Sequence, residues 1–253
     1  MNSTQGIVAA RGRKREVGRA AVLLFAAGVA LAAAPPARAD FIARFTNQHV
    51  DVDLRFEMGQ PAIGWHDETN DIEYEADEAL VLVGTAALRS RPASAAFNFL
   101  GVGLGAPVWV LPQVQDPNLV FLGIGTEEID PGIFQNDEVT LSLVGIRGPG
   151  FFSLWTTDAF GSPTPLLTTA DGITTADRVV RPIGSHQDFN WGFTVPGFYE
   201  LDFQLSGVLL SGQPVSSEVT TLSFSVVPEP ASCSLLAVGT AAMLCYARRR
   251  RST

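Results

Sequence analysis

Three histidines are present in 253 residues, and two of them sit in a pattern that could do chemistry. His49 and Asp51 lie two residues apart in "HVDVDLRF" (49–56), where polar and apolar residues alternate without a break. His186, Asp188 and Asn190 repeat that spacing in "SHQDFNWGF" (185–193), with Phe189, Trp191 and Phe193 on the opposite parity. On an extended strand, side chains at i and i+2 leave the same face from backbones about 7 Å apart. An imidazole and a carboxylate so placed can share one ion at roughly 2.0 to 2.2 Å from each ligand atom. Two such strands would make a site from His49, Asp51, His186 and Asp188, with a donor set suited to zinc or manganese. The competing reading is structural, because a strand with one polar and one aromatic face needs no ligand to explain it. His66, in an acidic stretch, reads as a solvated side chain near which a site is less expected.

Other chemistries find little support. Both cysteines, Cys233 and Cys245, fall in the C-terminal tail, so the residues before it carry neither disulfide nor thiol nucleophile. No Gly-x-Ser-x-Gly elbow or Walker loop occurs, and "GVGLG" (101–105) precedes a strand rather than a helix. Acidic residues are so numerous that a glycosidase-type pair carries almost no information. Trp65, Trp109, Trp155 and Trp191 could stack on sugars, yet core packing suits most of them better, Trp191 above all. The chain therefore reads as a non-enzyme with no catalytic residue assigned; a carbohydrate-active enzyme is the alternative from another class.

The elements that must position these residues are strands. Besides 49–56, the segments 79–83, 107–111, 139–146, 151–156, 186–194, 198–210 and 218–227 are rich in Val, Leu, Phe and Thr, and Gly or Pro separates most of them. No window sustains a helical period, which predicts an all-β, antiparallel β-sandwich. Residues 57–78 read as a solvated acidic loop with one short strand. Residues 185–203 read as a hairpin turning at Pro196-Gly197, and Tyr199 just after the turn is placed as in a tyrosine corner. An immunoglobulin-like part is expected from about 138 to 227. "FLGVG" (99–103) and "FLGIG" (121–125) echo one another too briefly to mark a repeat.

The two ends carry an address. Residues 1–39 run from Arg11, Arg13, Lys14, Arg15 and Arg19 through an apolar stretch to Ala37-Arg38-Ala39, the order of a secretory signal peptide and hence a substrate of signal peptidase. A retained anchor is the competing reading, against which stands an apolar run shorter than the roughly 20 residues a bilayer requires. At the other end, an apolar transmembrane helix is predicted over 232–247, and Arg248 to Arg251 follow it as a stop to translocation. What remains, residues 40–227, is long enough for one large or two small domains, with a possible subdivision near 138. It holds seven arginines, no lysine and 24 acids, a net −17 against −9 for the whole chain. Such a surface repels nucleic acid and anionic lipid and attracts cations, although the same charge would also keep an exported protein soluble.

Pro228-Glu229-Pro230, the apolar helix and the Arg248, Arg249, Arg250, Arg251 cluster together resemble the PEP-CTERM sorting signal of Gram-negative bacteria. That resemblance implies an exosortase as partner, removal of the tail, and a final place at the cell surface or in extracellular matrix. An ordinary C-terminal anchor remains the alternative. "NQHVDVDLRF" (47–56), residues 97–129, "GIRGPGFFSLW" (145–155) and residues 185–226 resemble the choice-of-anchor M domain of bacterial surface proteins. The family carries no established activity; it implies a binding or structural module of the envelope or matrix, with envelope polysaccharide as a possible partner. Its usual pattern is His-x-His followed by Trp, where this chain has His186-Gln187-Asp188 and then Trp191. An Asp in place of the second His shifts the expected preference toward harder ions, manganese or calcium.

Overall fold

Alternation becomes strand in seventeen segments of the computed structural model, which describes residues 41–227. Its strands, in chain order, are β1 (Ala43–Phe45), β2 (His49–Glu57), β3 (Gln60–Asp67), β4 (Ile72–Glu75), β5 (Ala79–Val83), β6 (Leu88–Ser90), β7 (Pro107–Leu111), β8 (Phe121–Gly125) and β9 (Glu138–Arg147). They continue with β10 (Phe152–Thr157), β11 (Pro163–Thr168), β12 (Arg178–Pro182), β13 (His186–Asp188), β14 (Asn190–Phe193), β15 (Gly197–Val208), β16 (Pro214–Ser216) and β17 (Thr220–Val226). The described helices are short 3₁₀ turns, and none is long and apolar enough to cross a membrane. The signal peptide expected over 1–39, the Pro228-Glu229-Pro230 motif, the predicted helix 232–247 and the arginine cluster lie outside the described residues.

The strands form three sheets. The first runs β1-β5-β17-β15-β9-β12, with β16 added to β15; the second runs β11-β10-β14-β7-β6; the third runs β13-β8-β2-β3-β4. Each sheet draws strands from both sides of residue 138. The expected all-β sandwich is present. Most pairs are antiparallel, while β1 with β5, β5 with β17 and β2 with β8 are parallel. Parallel neighbours require long crossovers rather than tight turns, which is why local turn signals did not reveal them.

Apolar parity drives the packing. Val50, Val52 and Leu54 of β2, Trp191 and Phe193 of β14, and Leu201, Phe203 and Phe224 of β15 and β17 are all buried in one continuous core. Phe224 is where the sheets meet: its ring lies 6.1 Å from Trp65 of the third sheet and 5.7 and 5.3 Å from Trp191 and Phe193 of the second. All four tryptophans are buried, so no row of exposed rings is available for sugar stacking among the described residues.

Two local expectations change and one holds. Residues 57–78 are not a solvated loop with one short strand but hold β3 and β4, β3 pairing with β2 and carrying the buried Trp65, and β4 pairing with β3. "FLGVG" ends a 3₁₀ turn while "FLGIG" is β8, so the echo has no structural counterpart. Residues 185–203 are not a hairpin. The strand breaks at Phe189, β13 staying in the third sheet and β14 joining the second, and the Pro196-Gly197 turn then carries the chain across to the first. Phe189, with a fully buried ring, is the pivot of that switch.

The tyrosine corner expected at Tyr199 is formed, although the part from about 138 to 227 does not stand as a separate immunoglobulin-like unit, its strands sharing all three sheets with earlier ones. Tyr199 Oη donates to the Val195 carbonyl at 2.7 Å and accepts from the Val195 amide at 3.3 Å. Burial pushes its hydroxyl up to about 12, so it stays protonated and able to donate. Tyr199→Phe leaves both backbone groups of Val195 without this partner and should cost about 1 to 3 kcal/mol in chemical denaturation. A loss under about 0.3 kcal/mol would mean that the bond holds nothing in place.

Candidate metal centre

The third sheet decides where the histidines go. Its core face carries Val50, Val52 and Leu54, so the opposite parity of β2 presents His49, Asp51, Asp53 and Arg55 together. The half-buried strand expected at 49–56 is instead buried on both faces: Asp51 is 1% exposed, Asp53 3% and Arg55 6%. β2 is a central strand, and its polar side chains lie across their neighbours instead of standing in solvent. Arg55 is enclosed by acids, 3.2 Å from Asp53, 3.3 Å from Glu57, 3.2 Å from Glu73 and 3.5 Å from Glu75.

β13 does not pair with β2 directly. β8 runs between them, parallel to β2 and antiparallel to β13, with Gly123 level with Asp51 and Asp188, and Gly125 level with His186. The glycines open the floor of the site. A methyl group at Gly123 would overlap Asp51 Oδ1 and lie 2.8 Å from His186 Cε1 and 3.2 Å from Asp188 Oδ1; one at Gly125 would meet Asp51 Oδ2 at 2.9 Å. With only hydrogen at both positions, side chains from β2 and β13 reach over β8 and meet.

His49, Asp51, His186 and Asp188 each place a ligand atom within 4.8 Å of the others, and this group could hold a metal ion. The imidazole rings are 5.1 Å apart at their centroids. Asp51 Oδ2 and His186 Nδ1 make a close hydrogen bond. His186 Nε2 then faces Asp188 Oδ1 at 3.3 Å. His49 Nε2 lies 3.6 Å from Asp188 Oδ1 and 3.9 Å from Asp51 Oδ1, and both His49 Nε2 and Asp51 Oδ1 are buried without a hydrogen-bond partner. Those separations are too long for hydrogen bonds. Two ligand atoms on one tetrahedral ion stand about 3.4 Å apart, given legs of roughly 2.1 Å.

Comparison with protein-family models, curated proteins and solved structures finds no match. The chemistry of the site therefore rests on its own residues.

Not every residue of the initial pattern joins. Asn190, expected on the face of His186 and Asp188, leaves with β14 and donates to Gln113 Oε1, Thr157 Oγ1 and the Trp155 carbonyl. His66 is half-buried rather than solvated; it pairs with Glu68 at 2.9 Å and Asp71 at 3.4 Å, outside the four-residue group. Glu68 and Glu127 form a second acidic group with Asp51. Neither was singled out from sequence, because a chain with 24 acids in its folded part gives no reason to prefer two of them.

Burial is the main cause that pushes the Asp51 carboxyl up to about 6, against the pull of His186 and His49. Burial likewise takes Asp53 to about 7 despite Arg55. For His186, burial acts downward, but Asp51 and then Asp188 outweigh it and the imidazole is raised. Each of these groups binds its proton more tightly folded than unfolded. The carboxyls favour folding below their ordinary 3.8 and lose that contribution as pH climbs toward 6 and 7. The imidazole contributes fully below 6.5 and loses it as pH rises through its folded value. Cation-free protein should therefore be more stable near pH 5 than near pH 8, by on the order of a few kcal/mol. Denaturation in chelator at both pH values checks this, and greater stability near pH 8 would contradict it.

Proposed function

We propose that this chain is an exported binding module of the cell surface or extracellular matrix, and that its ligand is a divalent cation held by His49, Asp51, His186 and Asp188. One observation carries the cation reading: two buried ligand atoms, His49 Nε2 and Asp51 Oδ1, have no hydrogen-bond partner and converge with His186 and Asp188 over two glycines. Buried polar atoms without partners are costly, and an ion bound among them removes that cost. Two imidazoles with two carboxylates favour zinc or manganese. Calcium takes six to eight oxygen ligands, and imidazole nitrogens do not supply them. The role assigned to the bound cation is capture or structural.

Placement outside the cell is supported by the signal peptide read from residues 1–39 and by the PEP-CTERM-like tail, which call for signal peptidase and an exosortase. A folded part at net −17 accords with a protein that concentrates cations from its surroundings.

The test is metal content. The purified full chain, dialysed against mixed divalent ions, is expected to retain one ion per chain by mass spectrometry, and the His49→Ala plus His186→Ala double variant none. A parent chain without stoichiometric metal defeats the cation reading.

A further inference from the structure

A second site lies on a different sheet. The outer face of the second sheet, turned away from the main core, carries a small apolar cluster of its own: Leu100, Val108 and Trp155, packed by Phe97, Phe99, Val102 and Val110. The 3₁₀ turn Ala95–Leu100 walls one side, and between them is a cleft of about 320 Å³. That volume and an apolar lining with few polar groups are those of a small-molecule pocket.

Two of the folded part's seven arginines, Arg89 and Arg91, line this cleft. Arg91 is 4% exposed. Its guanidinium donates to the Pro92 carbonyl and to Asn98 Oδ1, its Nε has no partner, and it forms no ion pair with any carboxylate among the described residues. Arg89 donates to the carbonyls of Ala86 and Leu88, and its nearest acid, Asp116, is 3.8 Å away. Both cations are thus met chiefly by neutral oxygens in a domain where acids outnumber arginines more than three to one. A buried charge is normally paired, because neutral acceptors replace its hydration only in part. Arg55, by contrast, is surrounded by four acids.

The geometry points to a binding site for a small organic anion, a carboxylate or sulfonate on a flat apolar body. The anionic group pairs with Arg91 and Arg89, whose donors suit planar oxyanions. The apolar body lies against Trp155, Phe97 and Val110, where burial of its surface supplies affinity. Asn190 closes one end already satisfied by Gln113, Thr157 and Trp155, so it helps to shape the cleft without demanding a partner.

Naphthoate and its neutral counterpart naphthamide separate charge from shape. Calorimetry on the purified full chain should show saturable binding of one naphthoate per chain and binding of naphthamide at least about tenfold weaker. Arg91→Met and Arg89→Met should each weaken naphthoate by a similar factor and narrow its advantage over naphthamide. Val110→Trp, which fills the cleft, should abolish binding of both. Should Arg91→Met fail to fold by near-ultraviolet dichroism, Arg89→Met, at a half-exposed position, and Val110→Trp decide. The proposal is overturned if the parent binds no naphthoate, binds both probes equally, or if the folded variants bind as the parent does.

Discussion

The Gly123→Ala chain is expected to fold as the parent does and to lose divalent-cation binding by about 100-fold or more. Gly123 stands in the middle of β8 with ordinary extended backbone, so alanine is compatible with the strand and removes some entropy from the unfolded chain. The added methyl group, however, enters the space used by Asp51, His186 and Asp188 together. Asp51 cannot swing aside freely, since it is buried and its other oxygen holds His186. Displacing it moves one proposed ligand and breaks its contact with a second. Gly125→Ala, which meets Asp51 alone, should lose less affinity. Gly103→Ala, with nothing within 4 Å of the added carbon, is the neutral comparison. Calorimetric titration with zinc and manganese measures all three. Affinity of Gly123→Ala within a few-fold of the parent would show that β8 is not the floor of a cation site.

Phe224→Ala should have the opposite profile, with stability lost and the site intact. The ring is fully buried and touches Trp65, Trp191 and Phe193, so its removal opens a cavity where three sheets join. Collapse into that space is resisted because the neighbours are held by two other sheets, Trp65 in the third and Trp191 and Phe193 in the second. Substitutions of this kind cost about 3 to 5 kcal/mol, which for a domain of this size lowers Tm by roughly 10 °C. Cation binding measured well below that Tm should be unchanged, because the ligands leave the opposite face of the third sheet. A shift under about 1 kcal/mol would mean that the sheets are held together elsewhere. The pair of variants therefore distinguishes a binding defect from a folding defect.

The strand pattern was legible because alternation is a local property. Two-residue periodicity in "HVDVDLRF" requires His49 and Asp51 on one face whatever the strand's neighbours are, and the Pro196-Gly197 turn placed Tyr199 at a corner that the structure forms. The strands at 79–83 and 107–111 match their expected bounds for the same reason: short apolar runs between breakers have few other ways to bury themselves. Asn190 shows the limit. Its parity matches that of His186 and Asp188 only along an unbroken strand, and Phe189 breaks the strand by burying its ring between two sheets.

The all-β class and the four candidate ligands were readable from sequence alone, because each follows from residue types and spacings within a few positions. Tertiary structure alone decided that β8 separates β2 from β13, that Asp51 is buried, and that Gly123 and Gly125 let histidines 137 residues apart in sequence meet. Strand partners are chosen by burial of the whole chain at once, and a glycine in a strand shows what it makes room for only when its neighbours are in place.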